Sequence, residues 1–200
     1  MNGARLARCT PIDQIPRVPR LRIFSALVAA VPALLSAQST PAATPVLTPT
    51  ALEAAARQIV ASVPYATFIT TDANGHPQAR TVQPMAPDSS WAVWFATNPR
   101  TRKVAEIARH PHVVLHYFDT ITRSYVALAG RARVVRDRRT KDAHWNPQWS
   151  TFYPDRDTSV VLIVVQAERL EIVSAKLGVE GDKGTWRPPT LRFRQTRPAK

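Results

Sequence analysis

The dipeptide Asn74-Gly75 separates two runs rich in β-branched and aromatic residues, YATFITT before it and QARTVQ after it. Both residues tolerate positive φ, which tight hairpin turns favour, so the pair is the strongest short-range hairpin signal in the chain. Two adjacent antiparallel strands are thereby fixed near the start of the folded region. Whatever else the chain builds must be completed around that pair.

The flanking segments fill in the rest. Thr50 and Glu53 have the spacing of a capping box, and Leu52, Ala55, Ala56, Ile59, Val60 and Val63 recur at helical spacing, which predicts a helix over about 51–62 that Pro64 stops. Gln78–Gln83 and Trp91–Thr97 read as the second and third strands. Asn98 and Pro99 then open a short helix with Val104, Ile107 and Ala108 on one face, ended by Pro111. His112–Phe118 and Tyr125–Val135 are two further strands, the second interrupted by Gly130, which suits a bulge or bend. Asp137 to about Trp149 has helical character broken by Pro147. Ser159–Ile172 is the longest β-rich run and alternates only in its second half, so its first half is expected to be buried on both faces. Leu191-Arg192-Phe193 offers an edge strand. Six or seven strands with short helices and no regular βαβ alternation give a mainly β fold, an antiparallel barrel rather than a doubly wound sheet.

The chain has 200 residues, of which 44% are apolar and 20% charged, enough to bury one core. Its first forty residues read as an address. Arginines up to Arg22 precede the apolar run Ile23–Leu35, and small residues follow at Ser36, Ala37 and Ser39. That is the layout of a secretory signal peptide over 1–37, with an uncleaved anchor as the alternative. Thirteen residues interrupted by Pro32 fall short of the roughly 20 that span a bilayer, so no stable membrane span is expected after signal removal. The only cysteine, Cys9, lies in the removable part, which leaves no disulfide within one mature chain. Residues 38–49, rich in Pro, Thr and Ala, read as a linker, 50–195 as the folded domain and 196–200 as a tail. A secreted or periplasmic protein is expected.

The formal net charge is +13. Such a balance raises the question of nucleic acid, yet no helix-turn-helix, zinc-finger or aromatic RNA-binding pattern accompanies it, and the cations are scattered. No nucleic-acid partner is expected. The cations at Ala96-Thr97-Asn98-Pro99-Arg100-Thr101-Arg102-Lys103 are more telling. A strand ends and a helix begins there, so three cations stand at the positive end of a helix dipole, where they are unfavourable unless an anion binds. Charge-assisted hydrogen bonds from Arg and Lys are suited to phosphate.

The order TTDANGHPQARTVQP, WFATNPRTRKVAEIARHPHVVLHYF, RSYVALAGRARVV resembles the FMN-binding split-barrel family, also described as pyridoxamine 5'-phosphate oxidase-like, and in particular its general stress protein branch. The resemblance spans about 64–165 and implies an antiparallel six- to seven-stranded split β-barrel binding FMN. It implies that Arg80, Thr81, Val82 and Gln83 line the isoalloxazine and ribityl chain, that Ala96 and Thr97 approach the ring or phosphate, and that Arg102 and Lys103 hold the phosphate. Thr101 stands where the family often has Ser and keeps the hydroxyl. Tyr125 replaces the Gln common in pyridoxamine phosphate oxidases proper. Trp145 falls where the stress protein branch carries a Trp-rich helix near the flavin, with an aromatic plug of the barrel mouth as the alternative. Members form homodimers with flavin at the subunit interface, and a flavin-dependent oxidoreductase is the activity implied. A deazaflavin-dependent reductase and a non-enzymatic flavin- or haem-binding stress protein remain alternatives. The C-terminal substrate motif of pyridoxamine phosphate oxidases is missing, Trp186-Arg187-Pro188-Pro189 being only a faint echo.

Other chemistries find less support. His112 and His116 would converge on a helix, but on a strand they stand roughly 13 Å apart, too far to share an ion. No serine lies in a hydrolase nucleophile context. Asp155 and Asp157 read as a solvated turn, and no metal site is expected.

Overall fold

The computed structural model describes residues 47–193. The signal peptide with Cys9, most of the linker and the tail 196–200 lie outside the described residues. Twelve elements follow in order: α1 (Pro49–Ser62), β1 (Ala66–Thr71), β2 (Pro77–Val82), β3 (Ala92–Thr97), α2 (Arg102–Arg109), β4 (His112–Asp119), β5 (Ser124–Val135), α3 (Arg138–Ala143), the 3-10 turn η1 (Pro147–Thr151), β6 (Val161–Val173), the 3-10 turn η2 (Ala175–Leu177) and β7 (Thr190–Arg192).

The seven strands form one antiparallel sheet in the order β2-β1-β4-β5-β6-β3, with β7 also on β6. The Asn-Gly hairpin pairs β1 with β2 from Ala66↔Val82 to Thr71↔Pro77. Asp72 braces its turn, its carboxylate accepting from the backbone N–H of Asn74 and His76 and from the Gln78 amide. β6 is long enough to serve two partners along one edge, β3 through Val161–Gln166 and β7 through Arg169–Glu171. The sheet curls but its strand ladder does not close. Its two ends approach where Met85 N–H donates to the Trp94 carbonyl at 2.7 Å.

Gly130 marks a bulge as its sequence position suggested, with the extra residue on the partner strand. Ala129 faces Arg169 and Gly130 faces Ala167, so Glu168 is left over on β6. A Cβ on Gly130 would stand 2.1 Å from the Gln166 carbonyl oxygen. The crossing therefore requires glycine for space.

One side of the curled sheet encloses the main core. Phe68, Val93, Phe95, Leu115, Val126, Leu128, Ile163, Val165, Leu170 and Ile172 fill it, and α1 seals it with Leu52, Ala56, Ile59 and Val60. Burying side chains of this size contributes roughly 1.5–3 kcal/mol each before conformational entropy is charged. The α1 cap falls two residues before the expected one: Thr48 Oγ1 accepts from Ala51 N–H. Pro at the first helical position favours that start. Glu53 is then free for another task, accepting from Trp91 Nε1 at 3.0 Å and from Arg57. The opposite face of β3 and the first half of β6 carries a second cluster, Ala92, Trp94, Val135, Trp149, Leu162 and Val164. This explains why the first half of β6 lacks alternation, since both its faces are buried. Pro147 splits the expected helix into α3 and η1, which cover this cluster.

Candidate functional site

Three elements meet at the start of α2. β3 ends on Thr97, which is buried; Thr101 caps α2 in extended conformation; Lys103 reaches back from the first turn. Lys103 Nζ donates to Thr97 Oγ1 at 2.9 Å, and the Thr97 and Thr101 hydroxyl oxygens are 3.3 Å apart. The Thr101 hydroxyl donates to the Asn98 carbonyl, and the Asn98 side chain accepts from Arg100 N–H. The Asn98-Pro99 turn thus sets both hydroxyls and the ammonium at one place. Arg102 is exposed beside them.

A second layer lies beneath. Arg80 of β2 pairs with Glu106 at 2.8 Å, and both bind Thr70 of β1, whose hydroxyl donates to Glu106 at 2.5 Å. Glu106 is 7% exposed. Burial pushes the Lys103 ammonium below its ordinary value, Arg80 pushes it further, and Glu106 opposes both.

The structure brings Thr97, Thr101, Lys103 and Arg80 to one neighbourhood, with Arg102 at its rim. The β2 residues divide by strand alternation: Arg80 and Val82 are half-buried, whereas Thr81 lies on the other, exposed face, with exposed Gln83 just beyond the strand. Ala96 and Trp145 pack against the second cluster. Trp145 makes an edge contact with Trp149 at 5.6 Å and lies under Arg156 at 4.3 Å, and its Nε1 is buried with no partner among the described residues. Beside it, His144 stacks on Trp94 at 3.7 Å. His112 and His116 both lie on β4, and among the described residues no group of three potential metal ligands assembles.

Glu106 and Thr70 escaped the sequence reading. Amphipathic spacing predicted Val104, Ile107 and Ala108 as the inner face of α2; the structure buries Val104, Glu106 and Ile107 and exposes Ala108. The available signal was a lone cation, Arg80, on a hairpin strand that needed a partner.

Hydroxyls, an ammonium, an arginine and the free N–H groups of a helix start are the donors a phosphoryl group needs. Together with an open antiparallel barrel they define a small barrel protein suited to a phosphorylated ligand. The chain belongs to the pyridoxamine 5'-phosphate oxidase-like family, whose sequence profile matches residues 53–178. Among solved structures it is similar to a general stress protein 26-related protein of the pyridoxinephosphate oxidase family from Clostridium acetobutylicum, with 19% identity, 73% of this chain and 96% of that chain covered, and a TM-score of 0.60. It is also similar to a pyridoxamine 5'-phosphate oxidase-related, FMN-binding protein from Nostoc punctiforme PCC 73102, with 15% identity, 73% and 94% coverage and a TM-score of 0.50. A haem-binding protein from Mycobacterium smegmatis shares 22% identity over 74% of this chain and 60% of its own, with a TM-score of 0.52. At these identities the likeness speaks for the split-barrel fold. No curated protein matches the sequence.

Proposed function

We propose that this chain is an exported FMN-binding flavoprotein that works as a flavin-dependent oxidoreductase and acts as a homodimer. The observation that carries the reading is the Thr97–Thr101–Lys103 cluster at the start of α2, where a phosphate dianion would reverse an otherwise unfavourable placement of cations. Lys103 and Arg102 would hold the phosphate, with Thr97 and, once its hydroxyl turns from the Asn98 carbonyl, Thr101 as hydrogen-bond donors, and Arg80, Val82 and Trp145 would be the side chains nearest the ring, Trp145 Nε1–H being a donor without a partner among the described residues. When bound, the isoalloxazine supplies two-electron redox chemistry, and the protein orients it and keeps water from it.

Family membership, together with the FMN binding named for the Nostoc relative, supports flavin over other phosphorylated ligands. The dimer is supported by a sheet face that the described residues leave uncovered. Ile69, Val114 and Ala129 stand side by side across β1, β4 and β5, with Phe118, Tyr125 and Val173 in a parallel row. A cleft lined by Tyr125, Val173, Glu180, Lys183 and exposed Trp186 borders this face. Export rests on the Arg-rich flank and apolar run at the N-terminus, and N-terminal sequencing of the secreted protein should return a start near Gln38.

The deciding experiment replaces Arg102 and Lys103 with Ala and titrates FMN and riboflavin by fluorescence quenching. Charge-assisted hydrogen bonds contribute roughly 1.5–3 kcal/mol each, so FMN affinity should fall more than about tenfold while riboflavin affinity holds. Equal losses for both ligands would place the phosphate elsewhere. A second reading, haem in place of flavin, draws on the Mycobacterium smegmatis relative. The visible spectrum of the mature protein, titrated with FMN, deazaflavin and haem in turn, separates these ligands.

A further inference from the structure

A buried carboxylate in a site assembled for an anion works against that anion, and Glu106 is such a group. Its Oε2 takes hydrogen bonds from Arg80 at 2.8 Å and Thr70 at 2.5 Å, and Arg80 is also bonded to the Thr70 oxygen. The guanidinium is therefore tied through both terminal nitrogens. Lys103, one turn before Glu106 on the same helix face, points the other way, to Thr97. Two cations and one acid thus share a partly buried neighbourhood in which the cations repel.

Resting on the flavin reading above, we propose that Glu106 is the counter-ion that sets the charge of the phosphate site: it commits Arg80 to the protein and leaves Lys103 as the cation directed at the ligand. The charged groups that act on Lys103 are Arg80 from β2 and Glu106 from α2, its neighbour Arg102 being exposed; β3 faces it with the neutral hydroxyl of Thr97. Burial disfavours the protonated lysine most, Arg80 adds to it, and Glu106 opposes both by less than Arg80 contributes. The sign of each substitution follows. Glu106→Gln keeps the shape but leaves Arg80 unopposed, so Lys103 should lose its proton at lower pH. Glu106→Gln combined with Arg80→Gln removes both charges, so Lys103 should keep its proton to higher pH than in the wild type. The double change also avoids stranding a buried charge, which protects folding if the single variant fails.

The experiment follows the Lys103 side chain by NMR through an alkaline titration of the ligand-free protein, and in parallel the pH dependence of FMN and riboflavin affinity. The expected result is a Lys103 midpoint displaced downward in Glu106→Gln and upward in the double variant. The alkaline loss of FMN affinity should move with it, and riboflavin should show neither movement. Below the midpoints Glu106→Gln, with one more net positive charge, should bind FMN several-fold more tightly than the wild type. Midpoints that stay at the wild-type pH, or that move in the same direction in both variants, overturn the counter-ion role. A wild type that binds no FMN, or binds it no better than riboflavin, while the NMR midpoints move as stated, overturns the flavin reading and leaves the counter-ion in place.

Discussion

Gly130 and Lys103 carry the two sharpest consequences at the level of single residues. A methyl group on Gly130 would meet the Gln166 backbone oxygen at 2.1 Å, and a backbone atom in a paired strand cannot swing aside as a side chain can. Gly130→Ala should therefore cost about 3 kcal/mol, at the upper end of overpacking effects, read as a lower urea midpoint with an unchanged slope. Lys103 gives a pH effect of definite sign. Its folded value is depressed by burial and by Arg80, so between that value and the unfolded value the unfolded chain binds more protons. Ligand-free protein should gain stability as pH rises through this window, and Lys103→Met should flatten the rise in thermal melts. The sequence showed Gly130 as a break, because glycine inside a strand pattern is rare, and it showed Lys103, because cations at a helix start are unfavourable. It hid Glu106, since an acid beside two cations on a short helix reads as an ordinary solvated face until β2 brings Arg80 to it from 26 positions away.

Lys141 sets the fate of a whole element. It is 2% exposed, and its ammonium donates to the backbone carbonyls of Arg156, Asp157 and Val160, fastening α3 to the loop that leads into β6. Arg138 and Arg156 add ion pairs to Asp142 and Asp157 around it. Lys141→Met would leave those carbonyls unpaired, at roughly 1–3 kcal/mol, and loosen the cover that carries Trp145 and Trp149. Their near-UV circular dichroism should weaken before the sheet melts. The β1–β2 hairpin responds to acid instead. Hydrogen bonds from the His76 and Asn74 backbone hold the Asp72 carboxyl below its ordinary value, so its contribution is present above the unfolded value and is lost as pH falls through the folded one. Amide protection in the β1–β2 turn, taken against the intrinsic exchange rate at each pH, should fall in acid, and Asp72→Asn should abolish that dependence. Elements with local signals were legible, the Asn-Gly turn, the Pro147 break and the edge strand at 190–192 among them. The α1 cap falls two residues before the expected one because Thr48 and Thr50 offer the same chemistry, and Pro49 at the first helical position together with the packing of Leu47 on the core selects the earlier one.

At the scale of the whole molecule, the sheet's two faces were not separable in the sequence. The strands alternate, but which side a second copy covers depends on how the sheet curls and on where α1, α3 and η1 settle, and those are long-range outcomes. The structure puts α3 and η1 over one end of the outer face and, among the described residues, leaves the β1–β4–β5 end uncovered. There Phe118, 48% exposed, faces Tyr125, and Tyr125 faces Val173. An apolar row beside exposed Ile121 and Trp186 marks the kind of surface that association covers. If the proposed homodimer buries it, an acid at Phe118 should break the dimer while sparing the fold, because the side chain points away from the main core. Sedimentation equilibrium at micromolar concentration should report twice the chain mass for the wild type and one chain for Phe118→Asp, with far-UV circular dichroism unchanged. Removal of a buried anchor aromatic and desolvation of a new charge together should weaken association by about 3 kcal/mol or more, over a hundredfold in dimer dissociation constant. FMN affinity is the discriminating companion. It should fall with dimer dissociation if the partner completes the flavin site, and stay at the monomer's value if Thr97, Thr101 and Lys103 hold the ligand alone. A Phe118→Asp protein that sediments as the wild type does would move the interface to another face.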